Sequence, residues 1–267
     1  MAVRTGAQFL QGLRDDRSIW LEGERVADVT AHPHLARMAQ TLAKIYDLQH
    51  DPALHEVMTY RSPTSGQDTA VSYLIPQNQA DLLRRRKGLE VIANFHHGVL
   101  GRTPDYVNIQ VTATRQLADL HGRREKRFRD NLIAYHEYLA TNDHCLTHTF
   151  GHPQVNRGAS VGQQPDPYIP LGAVAETSEG IIVRGAKLLA TLAPFSDEIF
   201  VPPYRPVRGK EEEKYALGFS IPTATKGLSF ICRESFDRGR SLYDHPLSGQ
   251  YDELDALAVF DDVLVPW

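Results

Sequence analysis

The chain has 267 residues, of which 42% are hydrophobic and 23% are charged; this ordinary usage excludes a fibrous or wholly disordered protein. The formal net charge of −4 leaves no basic field for nucleic acid, and no run approaches the roughly 20 apolar residues of a membrane span. Because two cysteines, Cys145 and Cys232, cannot make a disulfide framework, we expect a cytoplasmic protein without nucleic-acid or membrane partners.

The first half of the chain is predicted to be helical. Thr5 and Gln8 have the spacing of a capping box, which opens a short helix. The segment WLEGERV (20–26) has the pattern of a small hairpin, and apolar residues at three- and four-residue steps predict an amphipathic helix over 35–48. Further helices are predicted over 81–94, from Pro104 to about Leu117, and over 128–139.

The second half changes character after Pro153. Proline and glycine crowd together in GQQPDPYIPLG (162–172), and RGKEEEK (208–214) has the composition of a mobile polar loop. We therefore predict an α+β protein with a helical domain over 1–150 and a β domain over 151–267. Strand-sized runs separated by turn residues lie at 180–191, 198–202, 215–221, 228–232 and 256–265.

Common nucleotide and hydrolase signatures are absent from the sequence. It contains no GxxxxGK[ST] loop, no strand followed by GxGxxG, and no GxSxG elbow. A nucleotide cofactor would therefore have to bind in another way than through a P-loop or a Rossmann fold.

Three histidines lie four residues apart in DHCLTHTFGHPQVNR (143–157), namely His144, His148 and His152. On one helix this spacing would put the side chains on one face, as zinc ligands require. Gly151 and Pro153 make such a helix end before His152, so we predict no metal site. At least one active-site hydrogen-bonding histidine is favoured, and structural or surface roles stay open.

The segment GRTPDYVN (101–108) is a second candidate for chemistry. A turn that leads into a helix would present Arg102 on a loop and Tyr106 one turn later, as donors for an anionic or phenolic oxygen. The alternative is that Arg102 caps the helix or pairs locally with Asp105.

The run PQVNR (153–157) is a third candidate. Gln154, Asn156 and Arg157 carry several donors beside a proline-braced loop, and they could hold a polar ring edge or a phosphate. Formation of a structural turn explains the same residues equally well.

Six stretches, taken in order, give the chain a family resemblance. They are YDLQHDPALHEVMTY, SYLIPQNQADLLRRR, GRTPDYVN, HPQVNR, QPDPYIPLG and FDDVLVPW. From about Arg4 to Trp267 the chain resembles the oxygenase component of two-component flavin monooxygenases of the 4-hydroxyphenylacetate 3-hydroxylase family.

The resemblance implies an acyl-CoA-dehydrogenase-like fold. In that fold an N-terminal helical domain is followed by a middle β-barrel-like domain and a C-terminal four-helix bundle, which also makes a homotetramer. The bundle has no counterpart here, and the chain stops in the apolar run VFDDVLVPW (259–267). We therefore expect a truncated chain that lacks the C-terminal helical domain.

The resemblance also implies an activity. Family members take reduced FAD from a separate flavin reductase and use O2 to hydroxylate a phenol such as 4-hydroxyphenylacetate ortho to its hydroxyl, in aromatic catabolism. Two alternatives stay open: a catalytically incomplete fragment or subunit of that enzyme, and a CoA-ester dehydratase of the same fold family. The dehydratase holds an iron–sulfur cluster with several cysteines, and this chain has only two.

Site residues follow from the matching positions. The resemblance implies a catalytic set around the phenolic oxygen and a cofactor set at the junction of the two domains. Pro203 and Tyr204 stand where family members commonly have a Ser-Thr pair at the substrate. The implied catalytic residues are Arg102, Tyr106 and His148, and the implied FAD contacts are His148, Gln154, Val155, Asn156, Arg157 and Thr191.

Overall fold

The computed structural model describes residues 3–203, 206 and 208–267. Contacts divide the chain into two compact units. The helical unit comprises the chain up to Leu13, Pro33–Cys145 and Phe236–Asp252, and the strand unit comprises Arg14–His32, Leu146–Ser235 and Glu253–Trp267. Relative to the predicted domains 1–150 and 151–267, three short segments lie in the opposite unit, namely 14–32, 146–150 and 236–252.

Both units contain regular elements. The helices are α1 (Gly6–Gly12), α2 (Ala36–Leu48), α3 (His55–Met58), α4 (Gln79–Phe95), α5 (Pro104–Gln116), α6 (Ala118–His121) and α7 (Lys126–Asn142). The strands are β1 (Ser18–Leu21), β2 (Glu24–Val26), β3 (Thr59–Arg61), β4 (Asp68–Ala70), β5 (Leu146–His148), β6 (Gly172–Glu176), β7 (Gly180–Thr191), β8 (Glu198–Val201), β9 (Phe219–Pro222), β10 (Leu228–Cys232) and β11 (Asp255–Pro266). None of the helices in the described residues has both the length and the apolar content needed to cross a bilayer.

The start of the helical unit follows the predicted capping box. The Thr5 side chain accepts from the Gln8 N–H at 3.2 Å, and the Gln8 side chain accepts from the Thr5 N–H at 2.9 Å. Phe9 on α1 stacks on Tyr46 of α2 with ring centroids 4.7 Å apart. A Cβ on Gly6 would lie 2.4 Å from the Ala43 carbonyl oxygen, so only glycine lets the two helices approach this closely. The predicted helices α2, α4, α5 and α7 are also confirmed.

His136 on α7 is buried in the helical unit. Its Nε2 lies 3.2 Å from the Tyr73 carbonyl oxygen and 3.3 Å from Thr112 Oγ1. Because the carbonyl can only accept, the neutral ring with its proton on Nε2 fits this place. Burial, reinforced by the charge of Arg115, lowers the pKa of His136 to about 4.

The strand unit contains an open six-stranded sheet in the order β2-β1-β10-β11-β7-β6 and a three-stranded sheet in the order β5-β8-β9. Strand β1 runs parallel to β10, with Ser18 opposite Ser229, which places the N-terminal hairpin in this unit. The α+β fold is confirmed. In the described residues, β2 and β6 are edges of the large sheet, so the expected barrel-like domain is not a closed cylinder.

Three short elements differ from the sequence prediction. Strand β5 lies where the histidine series was considered on a helix, and the predicted strand over 215–221 is observed as β9, Phe219–Pro222. The polar segment before it forms a 3₁₀ helix, Lys210–Tyr215, instead of a loop. Tyr215 is buried and donates its hydroxyl to the Pro167 carbonyl at 2.8 Å, a distant contact that local sequence patterns do not reveal.

We predict that His136 makes the fold sensitive to acid. The unfolded chain takes up a proton near the ordinary histidine pKa of about 6.5, whereas folded His136 resists protonation until about pH 4. Stability is therefore fully present above pH 6.5 and falls by about 3 kcal/mol as the pH drops to 4. Urea unfolding of the wild type and of His136→Gln at several pH values checks this difference.

The glutamine variant should lack this acid-dependent loss because its amide can donate to the same carbonyl without titrating. His121→Gln, at an exposed position on α6, is the matched control and should keep the wild-type pH dependence. Parallel pH profiles for the wild type and His136→Gln would contradict the prediction.

Candidate functional site

The strand unit contains a cavity of about 560 Å³, a size within the range of organic ligand sites. Four residues of the predicted PQVNR motif line it, namely Pro153, Gln154, Asn156 and Arg157. Other parts of its wall come from β7 and from the 3₁₀ helix. Polar lining residues outside the motif include His152, Ser160, Gln164, Arg208, Glu212 and Tyr215.

Gln164 holds the loop that follows the motif. Its Oε1 accepts from the Asn156 N–H at 3.2 Å, and its Nε2 donates to the carbonyls of Asn156 at 3.0 Å and Ser160 at 3.2 Å. The Asn156 side chain also accepts from the Gly158 N–H at 3.0 Å. The alternative of a structural turn is therefore correct for Asn156 Oδ1, and the turn presents the motif as an ordered edge of the cavity.

A close backbone contact forms the wall beside β7. The Gly151 N–H donates to the Leu188 carbonyl at 2.7 Å, and the Leu188 N–H donates to the Gly151 carbonyl at 3.0 Å. A Cβ on Gly151 would lie 2.8 Å from the Leu188 oxygen, so this approach requires glycine. The chain after β5 is thereby tied to the long strand next to the cavity.

The charges on the lining suit a ligand with both an anionic and an aromatic part. Arg157 and Arg208 bring two guanidinium groups, and Glu212 brings one carboxylate. Guanidinium groups bind phosphate oxygens through paired N–H donors. His152 and Tyr215 lie edge to face, with ring centroids 6.4 Å apart, and give the wall an aromatic surface.

The remaining predicted FAD contacts lie elsewhere in the strand unit. His148 ends β5 with 4% of its surface exposed, and its ring meets Phe150 edge-on at 4.6 Å. Thr191 ends β7 and donates its hydroxyl to Asp255 Oδ1 at 2.5 Å. Val155 is 64% exposed. His148, Val155 and Thr191 are not among the residues that line the cavity.

The histidine series does not lie on a helix. Helix α7 ends at Asn142, and Asp143 takes a left-handed conformation with φ of +50°. His148 lies on β5, so the spacing of four does not give the three rings a common helical face. Within the described residues, no group of three or more His, Cys, Asp or Glu side chains could hold a metal ion.

Arg102 and Tyr106 meet in the helical unit. Helix α5 begins at Pro104, and the Arg102 guanidinium lies over the Tyr106 ring, 4.2 Å from its centroid. Arg102 also donates to the Gly101 carbonyl at 2.8 Å. Burial raises the pKa of the neighbouring Asp105.

The two predicted substrate positions after β8 are only partly described. Pro203 packs close to Gly218, whose Cβ, if present, would lie 3.1 Å from Pro203 Cδ. Tyr204 lies outside the described residues.

Sequence reasoning missed Gln164, Arg208 and Glu212. Gln164 was noticed only as part of a proline-rich loop, and the other two only as part of a polar one. A glutamine amide that bonds a backbone eight residues away has no sequence signature. The run of charges in RGKEEEK was visible, but its helical conformation depends on the distant anchor at Tyr215.

Comparisons with known proteins assign this fold. The family model described as "4-hydroxyphenylacetate 3-hydroxylase N terminal" matches residues 5–267. The 4-hydroxyphenylacetate 3-monooxygenase oxygenase component of Thermus thermophilus is 44% identical over 266 residues, which make up 99% of this chain and 54% of that protein. The chain spans about half the length of the curated relatives it matches.

Solved structures agree with the family match. The oxygenase component of a 4-hydroxyphenylacetate 3-monooxygenase, complexed with FAD and 4-hydroxyphenylacetate, superposes with a TM-score of 0.92 at 43% identity, covering 99% of this chain and 54% of that chain. A 4-hydroxybutyryl-CoA dehydratase from N. maritimus superposes with a TM-score of 0.87 at 18% identity over 99% of this chain and 53% of that chain, a likeness of fold alone. The expected acyl-CoA-dehydrogenase-like fold class is confirmed.

We predict that Gln164→Met loosens the edge of the cavity without unfolding the protein. The substitution removes the amide bonds to Asn156 and Ser160 but keeps a similar side-chain volume. Amide hydrogen exchange across 156–160 should rise about tenfold or more, since each lost hydrogen bond contributes about 1 kcal/mol. Gln163→Met, at the exposed neighbouring position, is the control and should leave exchange there unchanged; equal exchange in the two variants would refute the role of Gln164.

Proposed function

Because the chain belongs to the 4-hydroxyphenylacetate 3-hydroxylase family, we propose that it forms the flavin- and phenol-binding part of the oxygenase component of a two-component aromatic monooxygenase. The reaction consumes reduced FAD, O2 and a phenol, and yields the ortho-hydroxylated phenol, oxidised FAD and water. The observation that carries the proposal is the cavity in which Gln154, Asn156 and Arg157 converge, in a chain that superposes on an FAD-bound relative.

The chemistry of the cavity supports FAD as its ligand. Arg157 and Arg208 suit the diphosphate, and the amides of Gln154 and Asn156 suit the polar edge of a ring system. We extend the flavin contacts to His148, Thr191 and the exposed side chain of Val155. Bound reduced FAD would supply the electrons with which O2 is activated.

The phenol end of the proposal rests on three side chains. Arg102, already ordered over the Tyr106 ring, can donate to the phenolic oxygen beside the Tyr106 hydroxyl. A nearby guanidinium favours the phenolate over the phenol, and the phenolate makes the ortho carbon a better nucleophile. His148, which is buried, provides a ring nitrogen that can take or return the phenolic proton.

The substrate class is a phenol, and its second substituent is less restricted. Pro203 and Tyr204 replace the Ser-Thr pair whose two hydroxyls could bind a substrate carboxylate, so recognition in this proposal rests on the phenolic end. We place Pro203 and Tyr204 beside that second substituent. The substrate set includes phenols such as 4-hydroxyphenylacetate and need not require its carboxylate.

The family relationship supports the wider setting of the proposal. We expect a separate flavin reductase as partner, a homotetrameric assembly and a cytoplasmic location. If the 267 residues are only a catalytically incomplete subunit, the chain will bind FAD weakly and give no hydroxylated product when a reductase is supplied.

We predict that Arg157→Ala weakens FAD binding about tenfold or more. A charge-assisted hydrogen bond contributes about 1.5–3 kcal/mol, and every 1.4 kcal/mol is tenfold in affinity. Anaerobic fluorescence titration of the chain with oxidised and with reduced FAD measures the effect. Arg25→Ala, at an exposed position on β2, is the control and should bind as the wild type does. A wild-type chain that binds neither form of FAD would overturn the proposed cofactor.

We predict that His148→Ala abolishes coupled hydroxylation, while His144→Ala keeps most of it. His148 is proposed to take or return the phenolic proton, whereas His144 meets Tyr138 edge-on and its carbonyl accepts the Tyr73 hydroxyl. Hydroxylated product per reduced FAD consumed, with a flavin reductase present, is the quantity to measure. Equal losses in both variants would count against a special role for His148.

A further inference from the structure

One buried cation in the strand unit has no part in the function proposed above. Lys187 lies in the middle of β7, opposite Ala258 of β11, and 1% of its surface is exposed. Lysine is almost never fully buried without a partner, because taking an ammonium group out of water is costly. Its position therefore needs a physical reason.

The Lys187 side chain makes one hydrogen bond within the described residues. Its ammonium donates to the Phe150 carbonyl oxygen at 2.9 Å. Burial is the one cause that moves the pKa of Lys187, lowering it to about 8. Among the described residues no carboxylate lies near enough to offset that cost, so the ammonium is not there as half of an ion pair.

Phe150 connects this ammonium to His148. The Phe150 ring meets the His148 ring edge-on at 4.6 Å. The next residue, Gly151, exchanges two backbone hydrogen bonds with Leu188, the neighbour of Lys187 on β7. The chain between His148 and Gly151 is therefore held against β7 by a backbone pair and by the Lys187 ammonium.

The chain passes from one sheet to the other at the carbonyl that Lys187 contacts. His148 pairs with Phe200 of β8, and the Thr149 N–H donates to the Phe200 carbonyl at 3.1 Å. At Gly151 the chain pairs with Leu188 of β7 instead. The Phe150 carbonyl lies at the changeover between the two sheets, and the Lys187 ammonium donates to it there.

We propose that Lys187 is a positioning residue that fixes His148 by holding the Phe150 carbonyl. It does not touch the substrate; it acts through Phe150 on the ring that the proposed function places at the phenol. The role of His148 rests on that proposed function, whereas the effect of Lys187 on the segment 148–152 is a property of the unliganded chain. The role of His148 at the phenol and the effect of Lys187 on the segment 148–152 can therefore fail separately.

The test uses the unliganded 267-residue chain and three variants. Lys187→Met removes the donor at similar length, Lys187→Arg keeps a cationic donor, and Lys226→Met removes an exposed lysine from the same unit. Amide hydrogen exchange of Gly151 and the NMR ring signals of His148 are the measurements. The melting temperature at pH 7 serves as the global readout.

In Lys187→Met we expect exchange at Gly151 to rise about tenfold, the effect of one lost hydrogen bond, and the His148 ring signals to shift. Exchange in α2 and the melting temperature should stay close to the wild type, because loss of the bond is offset by removal of a buried charge. Lys187→Arg should restore the His148 signals, and Lys226→Met should match the wild type throughout.

Three results would overturn the inference. The first is a Lys187→Met chain with wild-type exchange at Gly151 and unshifted His148 signals. The second is a uniform rise in exchange over both units with a lower melting temperature, which indicates a purely structural lysine. If Lys187→Met does not fold, Lys187→Gln is measured in the same way, because its side chain is one bond shorter than lysine and its nitrogen does not reach the Phe150 carbonyl. The third result is that neither variant folds, which also indicates a structural role.

Discussion

Strand β7 is the element against which most of the strand unit is arranged. It pairs with β11 along one edge and with β6 along the other, and it also receives Gly151 at Leu188 and Pro170 at Ala186 outside the regular sheet. Gly185 makes the second approach possible. Its φ is +119°, and a Cβ there would lie 2.4 Å from the Pro170 carbonyl oxygen. The proline-rich segment can close on the cavity wall only because the strand has no side chain at that point.

The sequence allowed prediction of features that depend on near neighbours along the chain. The capping box at Thr5, the start of α5 at Pro104 and the long strand β7 follow from local patterns, and each is present. Strand β5 was not foreseen because three residues carry little periodicity and their partner, β8, lies some fifty residues away. Contacts between residues distant in sequence also limited the prediction of the site. The PQVNR motif could be singled out by composition, whereas the Gln164 amide bonds and the Tyr215 anchor depend on folding.

Two buried ionisable groups lie close to residues to which function is proposed. Asp105 precedes Tyr106 and has a pKa raised by burial, while Lys187 lies behind the Phe150 carbonyl with a pKa lowered by burial. For each of them, burial in the fold disfavours the charged form of the side chain. His136 differs, because its neutral ring satisfies a carbonyl within the core of the helical unit. Stability alone thus explains His136 better than it explains Lys187.

The parallel pairing of β1 with β10 has a consequence for how the chain acquires its structure. Ser18 lies opposite Ser229, so β1 pairs with a strand that is synthesised more than two hundred residues later. During synthesis at about 5–20 residues per second, β1 is exposed to water for on the order of ten seconds or longer before β10 exists. Pairings of such sequence separation form slowly. Before synthesis is complete, the N-terminal hairpin is therefore the part of the sheet most exposed to binding by a chaperone or to pairing with a wrong strand.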